Sequence, residues 1–141
     1  MSGFLHDTNV VSETRKAKPH GALIDWLNRA SGQQHSLSAA TIGELQIGIE
    51  KTRRQDVEKA AQLDRWVDEL PTRYPILPMD DVCFREWARL MQGQPDELYE
   101  DAMIAATARV HGLTVVTRNV RDFEPFGVPI LNPFEPERGS P

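Results

Sequence analysis

Residues 101–122 of the 141-residue chain read DAMIAATARVHGLTVVTRNVRD, and they predict a buried helix, a stop, a strand and a polar loop. Residues 102–110 contain only two polar side chains, so this helix has almost no face suited to water. Gly112 suits the left-handed residue that often ends a helix. Residues 113–116 form a β-branched apolar run, which is typical of a buried strand.

Asp101 is the exception in this stretch. It heads a stripe that Ile104, Ala105 and Ala108 continue at spacings of three, four and seven residues, which places all four on one face of a helix. A carboxylate that begins a buried stripe needs a partner that neutralises its charge. The nature of that partner bears directly on what the protein does.

Short predicted strands alternate with helices over the rest of the chain. This alternation predicts an α/β fold with a parallel sheet and helices on both of its faces. Pro71 is expected to follow the fourth helix, and the third strand is too short to be central. We expect one domain over residues 1–132 and a loosely ordered tail over 133–141, which is rich in proline and charge. The predicted strands are 4–5 (ending at 6 or 7), 35–37, 76–77, 113–116 and 130–131, and the other helices are 10–17, 20–30, 38–51, 55–70 and 80–91.

The composition is that of an ordinary globular protein with a net charge of −5. Such a charge argues against a general nucleic-acid binder, although a nuclease whose acidic site holds a cation could be acidic overall and still attract phosphate locally. Cys83 is the only cysteine, so no intramolecular disulfide can form. The N-terminus resembles neither a signal peptide nor a membrane span, and we expect a cytoplasmic protein with no membrane partner.

Four acids occupy related positions in this predicted fold. Asp7 ends the first strand, Asp122 follows the fourth strand, and Asp101 opens the helix that leads into that fourth strand. Glu44 is expected in the first turn of the helix after the second strand, where Thr41 to Glu44 match a capping box. Because ligands bind beyond the carboxyl ends of parallel strands, all four acids can converge at one edge of the sheet.

A divalent cation would resolve the repulsion among four converging carboxylates. Mg²⁺ prefers oxygen ligands and commonly works with phosphates. The matching chemistry is hydrolysis of a phosphodiester, in which Asn119 and Thr8 could orient water or phosphate. The histidines show no metal-ligand spacing and are expected at the surface or at strand ends. Asp96, Glu97 and Glu100 are expected to form a solvated helix start, although Glu97 could share a face with Asp101.

Each acid also has a purely structural interpretation. Asp7 suits a helix N-cap, Glu44 the acid of its capping box, Asp101 a first-turn acid stabilised by the helix dipole, and Asp122 the cap of a turn. Two other functions remain open. An aspartyl-phosphate protein would want a lysine after a late strand, where residues 117–119 read TRN. A binding module with a degraded site would not need all four acids.

Four segments of the chain resemble PIN-domain toxins of the VapC and FitB type. They are FLHDTNVVSE (4–13), TIGELQIGI (41–49), DAMIAATARVHGLTVVTRNVRDF (101–123) and GVPILNPF (127–134). The resemblance spans nearly the whole chain, with the motifs in the family's order. It implies a three-layer α/β/α sandwich with a central parallel sheet. His6 departs from the family, which usually has an apolar residue there, so the first strand is expected to end early. The acidic PDELYE before Asp101 is a second departure.

The resemblance also implies a function. It implies a Mg²⁺- or Mn²⁺-dependent endoribonuclease, the toxin of a type II toxin–antitoxin system, with RNA as substrate. Matched residue by residue, Asp7 and Asp101 are the principal metal ligands, Glu44 and Asp122 are the other acids, and Asn119 and Thr117 are polar residues flanking the site. It further implies a homodimer, within a larger complex with a VapB-type antitoxin that presents an arginine to the acidic pocket.

Overall fold

The computed structural model describes residues 3–136, in which strands and helices alternate along the chain. The strands are β1 (Phe4–His6), β2 (His35–Ser38), β3 (Ile76–Leu77), β4 (Thr114–Val116) and β5 (Ile130–Leu131). The helices are α1 (Thr8–Thr14), α2 (Gly21–Arg29), α3 (Ala39–Arg53), α4 (Val57–Arg73), α5 (Asp81–Leu90), α6 (Tyr99–His111) and α7 (Val120–Phe123). Short 3₁₀ turns, Asp96–Leu98 and Glu124–Phe126, precede α6 and follow α7.

The five strands form one parallel sheet in the order β3-β2-β1-β4-β5. The parallel sheet predicted from the sequence is therefore confirmed, and β3 lies at an edge as expected. The central strand β1 pairs with β2 on one side and β4 on the other, where Phe4 is in register with both His35 and Thr114. The order of the strands reverses between β1 and β4, and open α/β sheets bind ligands at such a switch point, beyond the carboxyl ends of the strands.

Helices cover both faces of the sheet, so the three-layer sandwich is confirmed. Alternate residues of a strand point to opposite faces. Leu5 and Val115 accordingly pack in one apolar cluster with the buried side of α6. Val116 packs in another with Trp26 of α2. The alanines of α6, all fully buried, let this helix lie close against the sheet.

Several element boundaries differ from the predictions because of local hydrogen bonds. The carboxylate of Asp7 accepts from Thr8 N and caps α1, so that helix begins at Thr8. Ser38 caps α3 by accepting from Ala40 N, and the predicted capping box at Thr41 is wrong. Pro71 lies inside α4 near its end, where it removes only one hydrogen bond from the last turns of the helix.

The predicted tail is only partly covered by the structure. Phe134 is buried against α2 and Val116, and its backbone N donates to Asn132 Oδ1 at 2.9 Å. The rest of the predicted tail, from residue 137 onward, lies outside the described residues. Within residues 3–136, no helix is long and apolar enough to cross a membrane.

Candidate functional site

Asp7 lies at the switch point, directly after β1. Its side chain is buried, with 4% of its surface exposed. One carboxylate oxygen accepts from Thr8 N at 2.7 Å and the other from Thr117 Oγ1 at 2.8 Å. Burial raises the pKa of Asp7, and the charge of Asp122 adds to this increase, although both hydrogen bonds act in the opposite direction. Asp7 is therefore oriented by its neighbours, and no positively charged side chain within residues 3–136 lowers its pKa.

Asp101 occupies the first turn of α6 rather than its first position, because the helix begins at Tyr99. The side chain is half-buried, and the stripe below it, with Ile104, Ala105 and Ala108, is fully buried as predicted. Burial, followed by the negative charges of neighbouring carboxylates, raises the pKa of Asp101 to about 7. The carboxylates responsible are Asp7, Asp122 and Glu100.

Glu44 faces the same acids from α3, but from its second turn, since that helix begins at Ala39. Its Oε1 atom is buried and has no hydrogen-bond partner among the described residues. Burial and the charges of Glu100, Asp7 and Asp101 raise the pKa of Glu44 to about 8. The interpretation of Glu44 as a capping residue is therefore wrong, and the interpretation of Glu44 as part of an acid cluster remains.

Glu100 is a fifth acid of this cluster, and sequence reasoning missed it. Its charge raises the pKa of both Glu44 and Asp101, and a hydrogen bond between the Glu44 and Glu100 carboxyls also favours a proton on Glu44. Its position beside Asp101, at the start of a helix that faces α3, was the only available signal. The structure shows no such role for Glu97, the neighbour considered from the sequence.

Asp122 and Asn119 lie on the other side of Asp7, in α7 and at its start. Asp122 is half-buried, and its charge raises the pKa of Asp7 and Asp101. The side chain of Asn119 is exposed, while its backbone N donates to Thr117 Oγ1 at 2.9 Å. The Thr117 hydroxyl thus links the loop after β4 to the carboxylate after β1. Thr8 is also at the site, with its hydroxyl 3.4 Å from that of Thr41.

The chemistry of this cluster fits a hard divalent cation. Carboxylate oxygens are the ligands that Mg²⁺ and Mn²⁺ prefer, and the buried Glu44 Oε1 has no other partner in the described residues. In the structure, however, no group of three or more aspartate, glutamate, histidine or cysteine side chains within residues 3–136 is arranged so that it could hold a metal ion. Carboxylates repel one another when no cation lies between them. Binding would therefore require side-chain rotations that bring the oxygens together.

His6 is the last residue of β1, so its predicted position at a strand end is confirmed, and β1 does not end before it. Its side chain is fully buried and is not at the surface. Its Nε2 lies 2.7 Å from His35 Nδ1, and His35 Nε2 lies 2.8 Å from Ala30 O. Because a carbonyl only accepts, His35 Nε2 donates to Ala30 O. A neutral His35 then accepts from His6 Nε2, whereas a protonated His35 donates to it. Burial, and secondarily the charge of His35, lowers the pKa of His6 to about 3. His6 is therefore a neutral structural residue behind Asp7.

Comparisons with known proteins agree with this geometry. A model of the PIN domain matches residues 4–126. The VapC ribonuclease Y4jK of Sinorhizobium fredii is 35% identical over 137 residues, which cover 92% of this chain and 96% of that protein. Toxin FitB of Neisseria gonorrhoeae is 30% identical over 137 residues, or 93% and 98% of the two chains. The crystal structure of FitAcB from the same organism superposes with a TM-score of 0.78 at 31% identity, covering 93% of this chain and 98% of that one.

The strand order and the acid cluster at the switch point place this protein among the α/β proteins that carry an acidic site at the carboxyl ends of a parallel sheet. Within that class, the chain belongs to the PIN-domain family. Its similarity to VapC- and FitB-type toxins confirms the resemblance found in the sequence.

Proposed function

We propose that this protein is a VapC-type endoribonuclease, the toxin of a type II toxin–antitoxin system, and that it requires Mg²⁺ or Mn²⁺. The observation that carries the proposal is the convergence of Asp7, Glu44 and Asp101 at the switch point of a PIN fold, where burial and the charges of neighbouring acids raise the pKa of each. Such unneutralised carboxylates favour a cation, and cations of this type work on phosphates. The relatives named as ribonuclease and toxin support RNA as the substrate.

In the proposed mechanism, Asp7 and Asp101 would be the principal metal ligands, and Glu44 and Asp122 would complete the set. A divalent cation held there would polarise phosphoryl oxygens and lower the pKa of a bound water. The protein residues have separate tasks. Thr117 and the backbone N of Thr8 hold the Asp7 carboxylate in one orientation.

Two further groups would position the reactants. Glu44 Oε1, which has no partner in the described residues, can accept a hydrogen bond from the attacking water. The exposed amide of Asn119 can donate to a phosphate oxygen. Both groups lie next to Asp7, so water and phosphate would meet at the carboxyl end of β1.

The decisive experiment is cleavage of RNA by freshly purified, partner-free protein with Mg²⁺ or Mn²⁺. We expect Asp101→Asn to lower the rate by about 100-fold or more, as removal of one electrostatic contribution to a transition state does. Asp25→Asn changes an exposed acid on α2 and is the matched control. Equal cleavage by the native protein and Asp101→Asn would exclude Asp101 from the mechanism.

We propose a VapB-type antitoxin as the protein partner. An uncompensated acid cluster favours a partner that supplies a cationic side chain such as arginine. Coexpression with the product of the neighbouring reading frame should yield a complex in which RNA cleavage is suppressed. A complex that cuts RNA as fast as the free protein would argue against this partner.

We also propose that the chain forms a homodimer through the exposed apolar side chains of α5 and the start of α6. Val82, Phe84 and Tyr99 expose 53%, 44% and 44% of their surfaces, and exposed apolar patches mark interaction surfaces. Light scattering on native protein and on Phe84→Glu tests this surface. The variant should be monomeric, and an unchanged dimer would place the contact elsewhere.

A further inference from the structure

A groove of about 300 Å³ begins at the acid cluster and runs between α1, α3 and α4. Thr8 and Glu44 line its inner end and also belong to the acidic site. Trp66 and Leu63 of α4 line it further along, and Arg15 lies at its side. The volume is at the lower end of the range for small-ligand sites. An RNA chain held at the acid cluster would therefore find this groove next to the phosphate being cut.

The groove combines an aromatic ring with a cation and hydroxyl groups. The guanidinium carbon of Arg15 lies 5.8 Å from the centre of the Trp66 ring. No carboxylate of residues 3–136 lies within salt-bridge distance of Arg15. Ser12 and Thr52 add hydroxyl groups to the lining. The Arg15 guanidinium lies over the face of this ring. A base could stack on the ring once the guanidinium turns away from it to a phosphate, because bases stack on aromatic rings and phosphates pair with arginine.

A second groove, of about 410 Å³, lies on the other side of the cluster and differs in chemistry. Its lining includes Arg118, Asn119, Arg121 and Asp122, and it contains no aromatic side chain. Glu124 and Glu135 add two further carboxylates, so the acids of this lining outnumber its arginines, and it offers no ring on which a base could stack. The two grooves would therefore offer different side-chain contacts to the two sides of a bound RNA strand.

We infer that the groove at Trp66 holds the base of a nucleotide next to the scissile phosphodiester, with Trp66 stacking on that base and Arg15 pairing with its phosphate. The inference rests on the proposed ribonuclease function and names a substrate subsite for it. A single-stranded RNA is favoured over a protein segment because the groove is continuous with the proposed phosphodiester site and carries the Arg15 guanidinium, which makes no ion pair within residues 3–136.

The subsite can be tested by steady-state cleavage of a single-stranded oligoribonucleotide that the native protein cuts at one position. Trp66→Leu keeps an apolar side chain but removes the aromatic face, and it should raise KM roughly 5- to 150-fold with little change in kcat, as loss of one stacked base would. Trp66→Phe retains the aromatic face and should stay close to native. Thermal melting of both variants reports whether the fold is intact.

Two abasic oligonucleotides identify the stacked base. Each lacks the base on one side of the cleavage point. For the native protein, we expect one abasic oligonucleotide to raise KM as much as Trp66→Leu does on the intact oligonucleotide. The same abasic oligonucleotide should not raise the KM of the Trp66→Leu variant further, because both changes remove the same contact. Additive effects for both oligonucleotides would overturn the assignment of Trp66.

The role of Arg15 is tested by the salt dependence of RNA binding in the Asp101→Asn background, in which cleavage is expected to be slow. Arg15→Gln should reduce the slope of log affinity against log salt by about 0.7, the value for one phosphate contact on a single strand. Arg65→Gln removes an exposed charge of α4 that does not line the groove, and it should leave the slope unchanged. Equal slopes for native protein and Arg15→Gln would exclude the phosphate contact.

Failure of the subsite differs from failure of the ribonuclease proposal. If cleavage depends on Asp101 but a folded Trp66→Leu variant shows native KM, the ribonuclease stands and the subsite is excluded. If Trp66→Leu and Arg15→Gln bind RNA normally but bind the product of the neighbouring reading frame weakly, the groove is a protein-docking site and the inference is wrong. Absence of any RNA cleavage by the native protein would overturn both.

Discussion

Thr117 donates a 2.8 Å hydrogen bond to the carboxylate of Asp7, and the two residues are 110 positions apart in the chain. Both side chains are buried. The bond joins the carboxyl ends of β1 and β4 at the switch point of the sheet. The same hydroxyl accepts from the backbone N of Asn119, so one threonine determines how the loop after β4 meets the principal acid.

Thr117→Val should destabilise the protein by about 1.5–3 kcal/mol, the usual contribution of a hydrogen bond to a charged group. Valine keeps the shape of the side chain, so the change removes only the hydroxyl. Urea denaturation measures the free energy of unfolding. Thr114→Val is the matched control in β4, because the Thr114 hydroxyl makes no side-chain hydrogen bond found in residues 3–136. Equal losses in both variants would contradict a specific role for the Asp7 contact.

The free energy of unfolding should fall as pH rises from about 7 to 8.5 in metal-free protein. The folded-state pKa of Glu44, at about 8, lies above its ordinary value of 4.5, so the folded protein binds more protons in this range than the unfolded chain. The stabilisation that this proton provides is fully present below pH 4.5, and it is lost progressively as the pH rises from there through about 8. Asp101, with a pKa of about 7, contributes in the lower part of the window.

The slope from one such group approaches about 1.4 kcal/mol per pH unit at most. Urea denaturation at several pH values in the presence of a chelator measures it. Glu44→Gln should flatten the curve above pH 7, where an unfolded histidine is already neutral and contributes nothing. If the free energy of unfolding of the native protein instead rose with pH between about pH 7 and 8.5, Glu44 and Asp101 would not be held neutral in the folded protein.

Millimolar Mn²⁺ should raise the melting temperature by several degrees, because an ion that binds only the folded state stabilises it. Each kcal/mol corresponds to roughly 2–4 °C in a chain of this size. Asp7→Asn should remove most of the shift, whereas Asp25→Asn should retain it. For each variant we compare the change in melting temperature when Mn²⁺ is added, because replacing a buried acid also changes the melting temperature of the metal-free protein. No shift in native protein would count against the proposed ligands.

Two glycine substitutions should have opposite effects on stability. A Cβ at Gly3 would lie 2.7 Å from the backbone oxygen of Gln34, so Gly3→Ala would force β1 away from the chain that precedes β2. We expect a loss of about 1–3 kcal/mol, as for other overpacked sites. Gly43 in α3 has open space around it, and Gly43→Ala should gain about 0.5–1 kcal/mol. Urea denaturation of both variants measures the difference.

The parallel sheet and the grouping of Asp7 and Asp101 could be predicted because both depend on chain order. Strands that alternate with helices lead to parallel pairing, so the end of β1 and the start of the crossover helix α6 meet at one edge of the sheet. The buried stripe on α6 was also visible, since its 3.6-residue period appears in the sequence itself. These features depend on patterns that tertiary contacts do not reverse.

Other features depended on contacts between distant segments and could not be predicted. Ser38 and Thr41 both suit a helix cap, and only the end of β2 at Ser38 decides between them. His6 looked out of place in a strand because its partner, His35, lies 29 residues away on β2. Glu100 appeared solvated because nothing in its own helix shows that α3 and Glu44 face it.

The central position of β1 has a consequence for the order in which the protein forms during synthesis. β1 is synthesised well before β4, one of its two neighbours in the sheet. A nascent chain that stops before Thr114 leaves one edge of β1 unpaired and lacks both Thr117 and Asp122. Contacts between segments so far apart form late in folding. Translation products that stop before β4 therefore lack an assembled acid cluster, and the cluster can form only after Asp122 has been made.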